Sequence, residues 1–173
     1  MPLLRWTLPI LALFALAACA GDNHAPKSEP SFYHNLAQPG AELDAAVAAS
    51  MISGYRANNG LGAVTLDPEL TRLAAAQAGV MAQRDRLDHA AGKPFVARLK
   101  ASGYDAKTAA ENISAGYHTL AEAFSGWRDS PPHRANMLLK GATRMGIAAV
   151  YTSSSKYKVY WALILAEPEE KKG

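Results

Sequence analysis

The chain has 173 residues, a mass of 18.4 kDa, 18 Lys+Arg against 15 Asp+Glu, and one cysteine. That length suits one domain with a full hydrophobic core, and a lone cysteine excludes a disulfide within the chain. No block of like charge occurs, which argues against a nucleic-acid-binding footprint.

Residues 1–18 have the three parts of an export signal: Arg5 as the positive region, Leu8 to Leu16 as the apolar core, and small Ala17-Ala18 before Cys19. The apolar run is shorter than the roughly 20 residues of a permanent span, so cleavage is expected. The order Leu16-Ala17-Ala18-Cys19 resembles a bacterial lipobox. The resemblance implies that the Cys19 thiol is lipidated and that the membrane is reached through this anchor. Ala20 stands next where an aspartate would oppose it, which by the same resemblance favours the outer membrane, facing the periplasm. Loss of residues 1–18 removes Arg5 alone among the charged residues and leaves a net charge of about +2.

Residues 19–42 carry Pro26, Pro30 and Pro39 among Gly, Asn and Ser without apolar periodicity, and read as a flexible tether. His24 and His34 fall in it and read as solvated. From Leu43 the pattern changes. Leu43, Val47, Met51 and Tyr55 recur every four residues up to Asn58-Asn59-Gly60, an amphipathic helix with a glycine stop. Asp67-Pro68 is a second helix start, because aspartate caps free N–H groups and proline is tolerated in the first turn. That helix carries Leu70, Leu73, Gln77, Val80 and Met81 on one side and fades near Arg86–His89.

A shorter helix is predicted over Pro94–Ala101, with Phe95 and Leu99 inward and Gly103 as its stop. A strand opens at Glu111 in Glu111-Asn112-Ile113-Ser114. Thr119 then caps a helix with Leu120, Ala123, Phe124 and Trp127 on a shared face, and Pro131-Pro132 ends it in a turn. Met145–Tyr151 and Tyr157–Leu165 form a β-hairpin around the polar Thr152–Lys156 loop. Both strands are too apolar for a wet face, so helices should cover the sheet on both sides. Residues 167–173 read as a charged tail.

Three polar residues fall at the ends of these elements: His89, Glu111 and His133. Two imidazoles and a carboxylate suit a divalent ion such as zinc or acid–base chemistry, provided that the fold gathers them. Their spacing carries no local ligand signature.

The ordered series GYRANNGL, LDPELTRLAAAQAGVMAQRDRLDH, FVARLKASGY, AENI and FSGWRDSPPHRANML, followed by the hairpin, resembles the CAP superfamily. This is the cysteine-rich secretory, antigen 5 and pathogenesis-related 1 group, and the series is most similar to its short bacterial branch. The resemblance runs over residues 43–166. It implies an α+β fold, an α-β-α sandwich with helices on both faces of a small, mainly antiparallel sheet. It also implies a cleft lined by two histidines and two acids, of which His89, Glu111 and His133 match three. Ser130 stands where the fourth acid is usual, and Ala110 replaces the glycine that usually precedes the glutamate.

The resemblance leaves binding and catalysis open. As a binding module, the chain would take a lipid, glycan, envelope protein or metal in the cleft; this reading is favoured. As an enzyme it would be a Ser130-His133-Glu111 hydrolase, or a metal-dependent one with His89 and His133 as ligands and Glu111 as base. No Gly-x-Ser-x-Gly elbow is present to expose a serine.

Arg56 reads as an anchor of the first helix to a carboxylate or carbonyl. Arg134 and Asn136 read as partners for backbone groups around the proline turn. Glu122 and Asp129 read as solvated. Trp127, Tyr157, Tyr160 and Trp161 read as core and sheet surface, with Tyr160 a candidate border of the cleft.

Overall fold

The computed structural model describes residues 29–169; the signal segment, Cys19, His24 and residues 170–173 lie outside the described residues. Helix α1 (Ala45–Ala57) is capped by Asp44, whose carboxylate accepts from Val47 N at 3.0 Å. Its buried face is Ala48, Ile52 and Arg56, with the Val47, Met51 and Tyr55 stripe flanking it half-buried. Arg56 is fully covered and donates to the carbonyls of Gly62, Met137, Leu139 and Ala142, each at 2.9 Å. The anchor is thus made to carbonyls and joins α1 to the chain that enters the hairpin. Burial without a carboxylate partner pulls the guanidinium pKa downward.

Strand β1 (Thr65–Leu66) is too short to leave a periodic signal. Helix α2 (Pro68–Arg84) begins where Asp67 accepts from the N–H groups of Glu69 and Leu70, and stops where Asp85 turns left-handed at φ 47°. Helix α3 (Phe95–Ala101) ends before Gly103, which takes φ +74°.

Strand β2 runs over Ala106–Ala115, so Glu111 sits in its middle and does not open it. Alanines and polar residues from 106 to 110 give no strand signal of their own; pairing with the end of the hairpin imposes the extended form there. Helix α4 (Leu120–Asp129) carries a reciprocal cap, in which Thr119 and Glu122 each accept from the other's backbone N–H. Glu122 is exposed, as expected, and also serves as a cap residue. Asp129 is largely exposed and pairs with Arg128 at 2.8 Å.

Pro131-Pro132 does end α4, but the chain goes straight into another helix, α5 (Pro131–Met137), in place of the predicted turn. A proline blocks the helix behind it by lacking an N–H, and for the same reason fits the first turn of the next one. Ser130 closes α4 and opens α5.

Strands β3 (Arg144–Tyr151) and β4 (Val159–Pro168) form the hairpin. Tyr157 lies before β4 and is partly exposed. The sheet order is β1-β3-β4-β2, antiparallel except for the β1–β3 pair.

Successive β4 residues face opposite layers. Val159, Trp161, Leu163 and Leu165 point to the core shared with α1 and α4. Tyr160, Ala162, Ile164 and Ala166 point to the core shared with α2. The result is an α+β sandwich with helices on both faces of the sheet. Tyr160 is fully buried, its hydroxyl joined to Asp85 and Ser155, and so it does not border a cleft.

The expected tether is shorter than residues 19–42. Ser31–Tyr33 make one 3-10 turn, Leu36 is buried in the α1/α4 core, and its N–H donates to His118 O at 2.7 Å. His34 Nε2 lies 3.2 Å from Glu29 O on this exposed segment.

Candidate functional site

Glu111 and Asn112 are neighbours on β2, paired with Ile164 and Leu163 respectively, and so they enter opposite layers. Glu111 points to the α2/α3 side. Its side chain is 1 % exposed, and both of its oxygens are taken: Oε1 by His89 Nδ1 at 2.9 Å and Oε2 by Arg98 Nη2 at 2.6 Å. His89 lies on the loop after α2, and its imidazole is 52 % exposed. A covered carboxylate thus stands behind an open imidazole.

The loop carrying His89 is tied down along its length. Gln77 Nε2 donates to Asp88 O at 2.8 Å, Arg84 donates to Ala91 O, and Arg98 Nε donates to Lys93 O at 3.0 Å. Sequence reasoning misses Arg98, although a signal is present in the spacing. Phe95, Arg98 and Leu99 share one face of α3, and a cation on the apolar side of a helix calls for a buried partner.

Asn112 points to the α4/α5 side. It donates from Nδ2 to His133 O at 2.9 Å and accepts at Oδ1 from Asn136 Nδ2 at 2.9 Å, while Asn136 also reaches Glu111 O at 3.1 Å. The start of α5 is therefore fastened to the free edge of β2 at the two residues that carry the site. Asn136 satisfies backbone as expected; Arg134 is exposed and serves no such role among the described residues. His133 is half-buried. Its pKa is held below the ordinary imidazole value by desolvation first and by the nearby His89 second.

The fold thus brings His89 into contact with Glu111, and sets His133 beside them through Asn112. Ser130 opens the same helix, but among the described residues no hydrogen bond joins it to His133. The large surface groove, about 830 Å³, lies elsewhere, between α3 and the starts of α2, β2 and β3, and none of the four candidates lines it.

The groups gathered here fall short of a three-ligand metal centre. Among the described residues no three His, Cys, Asp or Glu side chains are placed to hold an ion. His89 and His133 offer two nitrogens where zinc in an enzyme takes three protein ligands. The nearest carboxylate is already spent on an imidazole and a guanidinium, and the positive Arg98 opposes a second cation beside it.

The comparisons with known proteins agree with this architecture. A family model described as the cysteine-rich secretory protein family, CAP, matches residues 49–165. The chain belongs to the CAP family. It is 33 % identical over 107 residues to the uncharacterized protein YkwD of Bacillus subtilis strain 168, covering 60 % of this chain and 41 % of that protein. Among solved structures, an extracellular SCP-domain protein of Bacillus anthracis matches with a TM-score of 0.61 at 20 % identity, over 70 % of this chain and 39 % of that one. An outer surface protein of Borrelia burgdorferi matches with a TM-score of 0.66 at 16 % identity, over 75 % of this chain and 99 % of that one. The chain thus spans about two fifths of the two Bacillus proteins. At these identities, the structural matches establish the CAP fold and leave the chemistry to the residues of this chain.

Proposed function

We propose that this CAP domain is a ligand-binding module of the cell envelope, held at the membrane through lipidated Cys19, with His89 and His133 as its ligand-facing groups. One observation carries the preference for binding over hydrolysis: Glu111 is sealed between His89 and Arg98. A general base must reach the proton it abstracts, and a carboxylate that is 1 % exposed with both oxygens bonded reaches neither water nor substrate. The serine-hydrolase reading also lacks support, because among the described residues the Ser130 side chain makes no hydrogen bond to a base.

Generic esterase and peptidase assays on wild type and His133→Ala test the reading. No turnover in either is expected, and turnover that His133→Ala abolishes overturns it. Zinc titration of tag-free protein by calorimetry should show no site that is lost in both His89→Ala and His133→Ala.

The envelope location rests on the Leu16-Ala17-Ala18-Cys19 order and on the extracellular and outer-surface proteins that share the fold. Among the described residues no helix is long and apolar enough to cross a membrane, so on this reading the anchor is the lipid. Cys19→Ser should move the protein to the soluble or unprocessed fraction. Normal processing with retention in carbonate-washed membranes would sink the anchor proposal.

A further inference from the structure

Arg98 touches the site from behind. Its side chain is 11 % exposed, it donates to Glu111 Oε2 and Lys93 O, and its guanidinium lies 5.5 Å from the centroid of the Phe95 ring. These contacts leave the guanidinium little freedom, so the carboxylate it holds is fixed as well. Glu111 Oε1 in turn meets His89 at Nδ1 and not at Nε2.

We infer that Arg98 is the positioning residue of this site: by keeping Glu111 a buried carboxylate, it fixes neutral His89 with its proton on Nδ1, so that Nε2 meets the ligand as a hydrogen-bond acceptor. The inference rests on His89 being a ligand-facing group, and it names the ligand chemistry. The ligand atom that meets Nε2 of the neutral ring is a donor, such as a hydroxyl, an amide N–H or an ammonium.

The physical reason is the state of Glu111. A carboxylate accepts only, so the imidazole nitrogen facing it must donate. Solvated neutral imidazole prefers its proton on Nε2, and the contact with Glu111 reverses that preference. A carboxylate behind a histidine acts in the same way wherever the far nitrogen has to present a lone pair. Without Arg98, Glu111 would be a buried charge without a cation, and taking up a proton relieves that cost. A protonated Glu111 donates to Nδ1, which sends the imidazole proton to Nε2 and turns the open nitrogen from acceptor to donor.

Long-range proton–nitrogen spectra of histidine-labelled protein at about pH 8, above the ordinary imidazole range, read the tautomer directly and need no ligand. In wild type, His89 Nε2 should show the downfield shift of a bare nitrogen and Nδ1 that of a protonated one. A protonated Nε2, in a neutral or charged ring, overturns the inference. Arg98→Gln should lose the bare-nitrogen shift, and Arg98→Lys, which keeps the charge, should retain it. A folded Arg98→Gln with bare Nε2 unchanged, or an Arg98→Lys that fails to keep it, also overturns the role of Arg98. If Arg98→Gln does not fold, the wild-type and Arg98→Lys spectra decide. Failure here leaves the turnover assays untouched, so it is distinguishable from failure of the binding reading.

Discussion

On the side of the sheet that faces α1 and α4, β4 presents Trp161, Leu163 and Leu165 to Ile52 and Trp127, with the two indoles edge to face at 6.3 Å. On the side that faces α2, the same strand alternates Tyr160 and Ile164 with Ala162 and Ala166, in one cluster with Ala74 and Ala78. Large side chains fill the layer under α1 and α4, whereas on the other face the α2 backbone comes down to the sheet at a glycine of β3. The approach is closest at Gly146, where an added Cβ would stand 2.1 Å from the Leu70 carbonyl carbon. The site lies on the close-packed side, and the ties that aim α5 lie on the bulky side. A close-packed interior has little room to yield, and least where backbone meets backbone. The loop after α2 inherits that placement, and His89 with it.

Mutations that act on one layer at a time would break or sharpen this contrast. The largest effect is expected on the bulky side. Trp127→Ala should cost about 3–5 kcal/mol by urea denaturation, because the fully buried ring is the edge-to-face partner of Trp161. An unchanged midpoint would remove Trp127 from the core.

On the close-packed side the damage comes from adding a single methyl group. Gly146→Ala should cost about 2–3 kcal/mol, since the colliding atoms are α2 backbone and no rotamer change relieves them. It should also loosen His89, seen as faster amide exchange over residues 85–94. If Gly146→Ala is neutral, the two layers do not differ in the way described.

Asn112→Ala is expected to cost about 1–3 kcal/mol, by removing a donor from His133 O and one of the two acceptors of Asn136 Nδ2. Its local signature should be a changed His133 resonance with the His89 resonance in place, because Asn112 and Glu111, which hold the two, point to opposite faces of β2. Equal disturbance of both histidines would contradict that separation.

The smallest effect is that of pH on His133. Its folded pKa lies below its unfolded value, so the unfolded chain binds the proton first. Stability should be full above about pH 6.5, the ordinary imidazole value, and should decline as pH falls from there toward the lower folded value. The group is partly exposed, and the change is correspondingly modest. Denaturation of wild type and His133→Gln at about pH 8, 6.5 and 5.5, which brackets the ordinary imidazole value, checks it; identical pH profiles would show that burial of His133 has no such consequence.

Much of this protein is legible in local sequence. Asp67-Pro68 and Thr119 start their helices where capping chemistry requires, and the apolar strand formers of residues 145–165 give the hairpin. Capping, proline geometry and periodicity act within a few residues, so a single chain displays them. His89 and His133 stand out for the same reason, as polar groups near the ends of elements, Glu111 stands out as the acid of a strand-like segment, and the CAP resemblance orders the three. Tertiary structure alone decides what each one does. Arg98 and Glu111 are 13 residues apart, His89 and Glu111 are 22, and Asn112 reaches a carbonyl 21 residues on. Neither β1 nor the first half of β2 has a pattern of its own, because pairing with distant strands extends them. The burial of Glu111 belongs to the same class. A carboxylate in a strand reads as a reactive group until the fold puts a guanidinium on one oxygen and an imidazole on the other, and then the far nitrogen of His89 is what stays open.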